Sequence, residues 1–224
     1  MKKVLITGAN KRLGKTIAHY LGDLGFKLVV HFHTDVQAAL QLEKKYNAKI
    51  YQADLMKPMA IEKMMKEVGP VDMVINTIGS FIYKPLEKTT SKEFEDCIHN
   101  NLFIAYQLCK AVLPHMRKKG FGRIINFGSV GCDQVTARPM TTPYYIAKTG
   151  LYMMTKSLAQ EHKNTNITIN LISPGILPTG IKPTQNLPII SFDDIAKAVI
   201  FLVSEESRSV NGANLEVGGG WRPE

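Results

Sequence analysis

Short apolar runs that read as strands alternate with helix-periodic stretches along nearly the whole chain, and this alternation restricts the fold more than any other feature. The predicted strands are Lys3–Thr7, Lys27–Phe32, Lys49–Gln52, Val71–Asn76, Gly122–Phe127, Thr168–Ile172 and Asn214–Val217. Helical patterns fall near Leu13–Leu24, Val36–Tyr46, Ile61–Val68, Lys92–Lys118, Tyr144–His162 and Asp193–Val203. Strands that are almost continuously hydrophobic must be covered on both faces, which a parallel sheet with crossover helices provides. Right-handed crossovers then give an α/β, Rossmann-type, doubly wound parallel sheet of seven strands with helices on both faces. Nothing resembling a linker interrupts the pattern, so residues 1–224 are read as one domain. The least regular piece, "PGILPTGIKPTQNLP" at Pro174–Pro188, is too rich in proline for helix or strand and is expected to be a substrate loop spanning about 174–190.

Composition removes several classes. The apolar runs "VLI" and "AVIFLV" are far too short to span a bilayer, so no membrane association is expected. The basic start Met1-Lys2-Lys3 leads straight into a glycine-containing turn rather than an export segment. Cys97, Cys109 and Cys132 are odd in number and widely spaced, which suggests neither a disulfide framework nor a metal site and favours a cytoplasmic location. The net charge of +9 comes from lysines scattered along the chain, so it reads as a solvated surface and not as a nucleic-acid site.

Three local patterns carry chemistry. "TGANKRLG", Thr7 to Gly14, sits where the first strand meets the first helix. Glycine there lets the backbone approach a pyrophosphate, and the helix N-terminus offers free amides. In "YYIAK", Tyr144 and Lys148 stand one helical turn apart on one face. An ammonium beside a phenol is expected to lower the phenol's pKa and make it a proton donor or acceptor nearer neutrality. Ser129, in "INFGSVG" after the fifth strand, lies at a strand's carboxyl end, where open α/β sheets bind ligands. Taken singly, a tight turn, a surface Tyr–Lys pair and a turn-forming serine would each suffice as explanations.

Together these residues resemble the short-chain dehydrogenase/reductase family over essentially the whole chain. "TGANKRLG" is similar to its TGxxxGxG turn, "YYIAK" to its YxxxK, "NTIG" at Asn76–Gly79 to its NNAG, and "SPGILPT" to its PGxxxT segment. "NGANLEVGGG" resembles the closing VDGG strand, and Asn101 in "NNLF" precedes Ser129 by 28 residues, as the family's catalytic asparagine does. The resemblance implies four catalytic residues. Tyr144 protonates a developing alkoxide, Ser129 hydrogen-bonds the carbonyl, Lys148 holds the nicotinamide ribose, and Asn101 orders a relay water. It also implies cofactor contacts from Gly8, Asn10, Lys11, Arg12, Leu13, Gly14, His33, Thr34, Asp54, Leu55, Asn76, Thr77 and Gly79, with Tyr144, Lys148, Pro174, Gly175, Ile176 and Thr179 on the nicotinamide side.

This sequence departs from the family pattern at several points. Ser129 and Tyr144 are 15 apart, which is long for the family and suggests a bulging loop. Thr77 and Ile78 replace an Asn and an Ala, Gly218 stands where an Asp is usual, and Gly180–Leu187 makes a short lid. The most informative departure is Arg12, in place of a third glycine. NAD-preferring relatives end the second strand with an acid, yet here that position is Phe32, and Asp35 is expected to cap the next helix. Lys11, Arg12, His33 and Thr34 would welcome a 2′-phosphate, so the expected cofactor is NADP(H). Pteridine reductases within the family share this TGxxxRxG form. The expected partners are a small-molecule or carrier-tethered carbonyl substrate: a 3-oxoacyl thioester, a pterin-like ring, a ketone or a sugar. A homodimer or homotetramer is expected from the stripe Leu102, Ala105, Cys109, Val112 and Met116.

Overall fold

A computed structural model describes residues 1–179 and 187–223. The strands are β1 (Lys3–Thr7), β2 (Lys27–Phe32), β3 (Lys49–Gln52), β4 (Met73–Asn76), β5 (Gly122–Phe127), β6 (Ile167–Pro174) and β7 (Asn214–Val217). They form one all-parallel sheet in the order β3-β2-β1-β4-β5-β6-β7. The order reverses between β1 and β4, which opens a crevice above the carboxyl ends of those two strands. The helices are α1 (Arg12–Asp23), α2 (Val36–Tyr46), α3 (Ala60–Val68), α4 (Ser91–Ile98), α5 (Ile104–Lys119), α6 (Thr142–Glu161) and α7 (Phe192–Val203).

Two cores explain why the strands are apolar on both sides. Alternate residues of one strand face opposite layers. In β1, Val4 and Ile6 pack with Ile17 and Leu21 of α1 and Val199 of α7, whereas Leu5 packs with Met64 of α3 and Leu108 and Val112 of α5. No helix among the described residues is long and apolar enough to cross a membrane.

The structure corrects several expectations. The single helix expected over Lys92–Lys118 is α4 and α5, separated by a π-helical turn at His99–Phe103. The fourth strand begins at Met73 rather than Val71, and β6 runs on through Pro174, the expected first residue of the loop. Asp35 occupies the N-cap of α2, but its side chain makes no capping bond. Ala105, Cys109, Val112 and Met116 are buried in this chain's own core, with Leu102 packed partly against it, so the stripe covers the sheet and leaves no free face. Of the predicted substrate loop, residues 180–186 lie outside the described residues; the flanks are joined by a bridge between Ile176 and Ile189.

Candidate active site

The crevice at the β1/β4 switch is a cleft of about 450 Å³. Its walls include Gly8, Asn10, Lys11, Arg12 and Gly14 from the first turn, His33 and Thr34 after β2, Asp54 and Leu55 after β3, and Thr77 and Gly79 after β4. The turn is built by close approach: a Cβ on Gly14 would lie 2.3 Å from the Gly8 carbonyl oxygen, and Gly8 itself has φ +64°. Arg12, the first residue of α1, has φ +49°. The missing third glycine therefore occupies a backbone conformation that glycine favours, and an arginine there carries about 1–3 kcal/mol of strain. No side chain caps α1 and its first turn holds no acid, so its free amides and dipole face the cleft unneutralised. Asn10 is buried, and its Nδ2 donates to the Asp35 carbonyl at 3.2 Å, tying the turn to the segment after β2.

His31, which the sequence reading passed over, completes this wall. It is buried in β2 and faces the cleft. The Gly8 amide donates to its Nδ1 at 3.3 Å, which leaves the proton on Nε2, 3.0 Å from the Ala53 carbonyl. Burial holds His31 down at about 4, a neutral imidazole bridging the first and third βα turns. Beside it the His33 Nε2 lies 4.0 Å from the Asp54 Oδ2.

Other predicted contacts serve the walls from behind. Leu13 packs in the core. The Asn76 Oδ1 accepts from the Thr7 Oγ1 at 2.8 Å and from the Ile78 amide at 3.3 Å, while the Thr77 Oγ1 donates to the Thr7 carbonyl at 2.6 Å. Pro174, Gly175, Ile176 and Thr179 lie at or beyond the end of β6 and do not line this cleft. Gly218 is explained by packing: a Cβ there would come within 2.8 Å of the Val130 Cγ2.

The catalytic candidates converge around the ends of β4 and β5. Ser129 stands beside the Tyr144 phenol, which is half-buried on α6. The Phe81 ring meets Tyr144 edge-on at 4.9 Å. Lys148, one turn along α6, is buried; its Nζ donates to the Phe127 carbonyl at 2.5 Å and lies 5.5 Å from the Tyr144 ring centroid. Asn101 sits in the π-helical turn, where its Nδ2 donates to the Ser80 and Cys97 carbonyls at 2.8 and 2.9 Å. Its buried Oδ1 has no hydrogen-bond donor among the described residues and faces Gly79.

Electrostatics here differ from the sequence expectation. Burial raises the Tyr144 phenol above its ordinary value. Burial also depresses Lys148 to about 8. Desolvation thus outweighs the ammonium's pull on the phenol, and Tyr144 holds its proton firmly. Two further histidines pack structurally: His19 contacts the Tyr46 hydroxyl at 2.9 Å and His162 the Leu158 carbonyl at 2.8 Å. Cys132 is buried, 3.4 Å from the Ser173 Oγ.

A switch-point cleft with an anion-receptive turn, beside a Ser–Tyr–Lys group, defines a nucleotide-dependent oxidoreductase of the doubly wound class. The chain belongs to the short-chain dehydrogenase/reductase family: residues 2–188 match the family described as short chain dehydrogenase. It is 33% identical over 230 residues to the 3-oxoacyl-(acyl-carrier-protein) reductase FabG of Haemophilus influenzae, covering 97% of this chain and 86% of that one. The Vibrio cholerae FabG is also 33% identical, over 239 residues, covering 98% and 96%. Among solved structures, acetoin dehydrogenase YohF from Salmonella typhimurium superposes with a TM-score of 0.86 at 26% identity, covering 98% of this chain and 96% of that one.

Proposed function

We propose that this oxidoreductase reduces a carbonyl with NADPH, and that its substrate is a 3-oxoacyl thioester presented on an acidic carrier. The observation that carries the cofactor reading is the strained Arg12 turn. A guanidinium, Lys11, His33 and Thr34 line one end of a cleft whose floor is the uncapped N-terminus of α1, and the residue ending β2 is the buried Phe32 instead of an acid. That donor set suits a pyrophosphate together with a 2′-phosphate. The substrate reading is supported by the FabG relatives and by the net charge of +9, which complements an acidic carrier. Outward-facing Phe103, Tyr106, Ile146 and Met153 support a homo-oligomer, and three buried free cysteines support a cytoplasmic home.

The bound cofactor supplies the hydride. Tyr144 donates its phenolic proton to the carbonyl oxygen as negative charge grows there, a role suited to a phenol that burial keeps protonated. Ser129 adds a hydrogen bond to the same oxygen. Lys148, fixed by the Phe127 carbonyl, presents its remaining N–H groups toward the cleft side of α6 and stabilises the phenolate that results. Asn101 braces the π-helical turn against the Ser80 segment, keeping the floor beneath Gly79 in place.

The test is NADPH consumption, followed by nicotinamide absorbance, with acetoacetyl thioesters compared against diketones, quinones and pterins. Thioesters are expected to give the highest kcat/KM. Tyr144→Phe should lose about 10²–10⁴-fold in turnover while still binding NADPH. A Phe variant retaining half the wild-type rate on the best substrate would remove Tyr144 as the acid, and a clear preference for another substrate class would remove the thioester assignment.

A further inference from the structure

Ser129 is held between two phenols, and the second takes no part in the chemistry above. Tyr145 is only 8% exposed. Its Oη lies 3.0 Å from the Val130 carbonyl oxygen and 3.3 Å from the Ser129 Oγ. A carbonyl can only accept, so the single phenolic proton of Tyr145 goes to Val130. The Tyr145 oxygen must therefore accept from Ser129. This assigns the serine's proton in the free enzyme too: it points at Tyr145 and not at the neighbouring Tyr144.

The ring that sets this polarity is clamped on two sides. The Arg138 guanidinium lies 4.9 Å from its centroid, and the Tyr144 ring meets it edge-on at 5.6 Å. Arg138 is itself buried and donates to the Pro223 carbonyl at 3.1 Å. The Gly131 amide donates to the Glu216 Oε1 at 2.9 Å, and Arg222 pairs with the same carboxylate at 2.9 Å. The long segment between Ser129 and Tyr144 is thus bolted to β7 and the chain's C-terminal residues, with Tyr145 as the inner end of the bolt.

We propose that Tyr145 is a positioning residue for Ser129: it gives the serine hydroxyl an acceptor in the free enzyme and so fixes its rotamer beside the acid Tyr144. When a carbonyl oxygen enters, Ser129 turns its proton from Tyr145 to the substrate. That exchange strands no buried donor, because the Tyr145 proton remains on Val130 throughout. Without the Tyr145 hydroxyl, Ser129 loses that acceptor and its rotamer is no longer fixed.

The inference rests on the proposed catalytic use of Ser129, and a double-mutant cycle separates the two. Tyr145→Phe, which keeps the ring and its contacts, should lower kcat about five- to tenfold, as loss of one neutral hydrogen bond implies. The NADPH dissociation constant should stay within about twofold, since the bond removed is remote from the nucleotide turn. In a Ser129→Ala background the same substitution should have no further effect on kcat. Arg138→Met, which loosens the ring without removing the hydroxyl, should show the same pattern at smaller amplitude and provides a second route should the Phe variant fold poorly. Equal losses in both backgrounds, or an unchanged kcat for Tyr145→Phe beside a damaging Ser129→Ala, would overturn the positioning role alone. A neutral Ser129→Ala would overturn the catalytic reading of Ser129, and the inference with it.

Discussion

Acid should unfold this protein partly through His31. The imidazole is 2% exposed, accepts from the Gly8 amide and donates to the Ala53 carbonyl, and is held from its ordinary 6.5 down to about 4. As pH falls through 6.5 the unfolded chain takes up a proton at this residue, whereas the folded chain does so only near 4. The stability contributed by a neutral His31 is therefore complete above 6.5, drains away between 6.5 and 4, and is absent below. At 1.36 kcal/mol for each pH unit the quantity at stake is about 3 kcal/mol, a large part of a typical domain's stability. His31→Gln retains polar atoms at the site but has no titration in this window. Urea melts of wild type and variant at half-unit steps between pH 4 and 7 measure the effect. The wild-type curve should fall more steeply, and the gap between the two free energies should change by about 3 kcal/mol across the window. Parallel pH dependences would refute the assignment of a neutral, doubly bonded imidazole. Protonated Nδ1 cannot accept from Gly8, so the NADPH affinity of the folded wild type should fall only as the pH approaches 4.

Arg12→Gly should do two things at once. It should weaken NADPH binding about 10- to 150-fold while barely changing NADH binding, because only the former carries the 2′-phosphate assigned to the guanidinium. It should also raise stability by about 1 kcal/mol by relieving the φ of +49°; equal losses for both cofactors by fluorescence titration would reduce Arg12 to a turn residue. Lys148→Met should abolish turnover yet stabilise the free protein at neutral pH. The lysine is depressed from 10.5 to about 8, a cost of about 3 kcal/mol that is fully present below pH 8 and fades as pH rises to 10.5. Loss of its bond to the Phe127 carbonyl offsets about 1–2 kcal/mol of the gain. Denaturant melts showing a variant that is less stable at pH 7 than the wild type would contradict this.

What the sequence revealed and what it concealed divide along a physical line. The inner strands were legible because buried parallel strands are apolar at most positions, and β1, β2 and β5 begin and end where the pattern indicates, as do the less buried edge strands β3 and β7. The first turn was legible because close backbone approach forces small residues, so Gly8 and Gly14 are necessities of geometry. The π-helical turn at His99–Phe103 left no such mark: one extra residue in a helix shifts its phase without interrupting its apolar periodicity, and a single long helix was the natural reading. His31 was hidden by its neighbours. In "KLVVHF" a polar residue at the end of a buried strand is visible, but its two partners, Gly8 and Ala53, are contributed by segments far away in sequence. The Tyr144–Lys148 pair was found for a sound reason, adjacency on one helical face, yet its electrostatics were misjudged. Spacing reports proximity and says nothing about desolvation, and in this pair desolvation is the larger effect. The raised pKa bears equally on both directions of the proposed reaction. Donating the proton to a carbonyl oxygen and losing it ahead of an alcohol oxidation both leave a phenolate in a pocket that resists the charge, so either direction calls on the Lys148 ammonium, 5.5 Å from the Tyr144 ring centroid, to stabilise it.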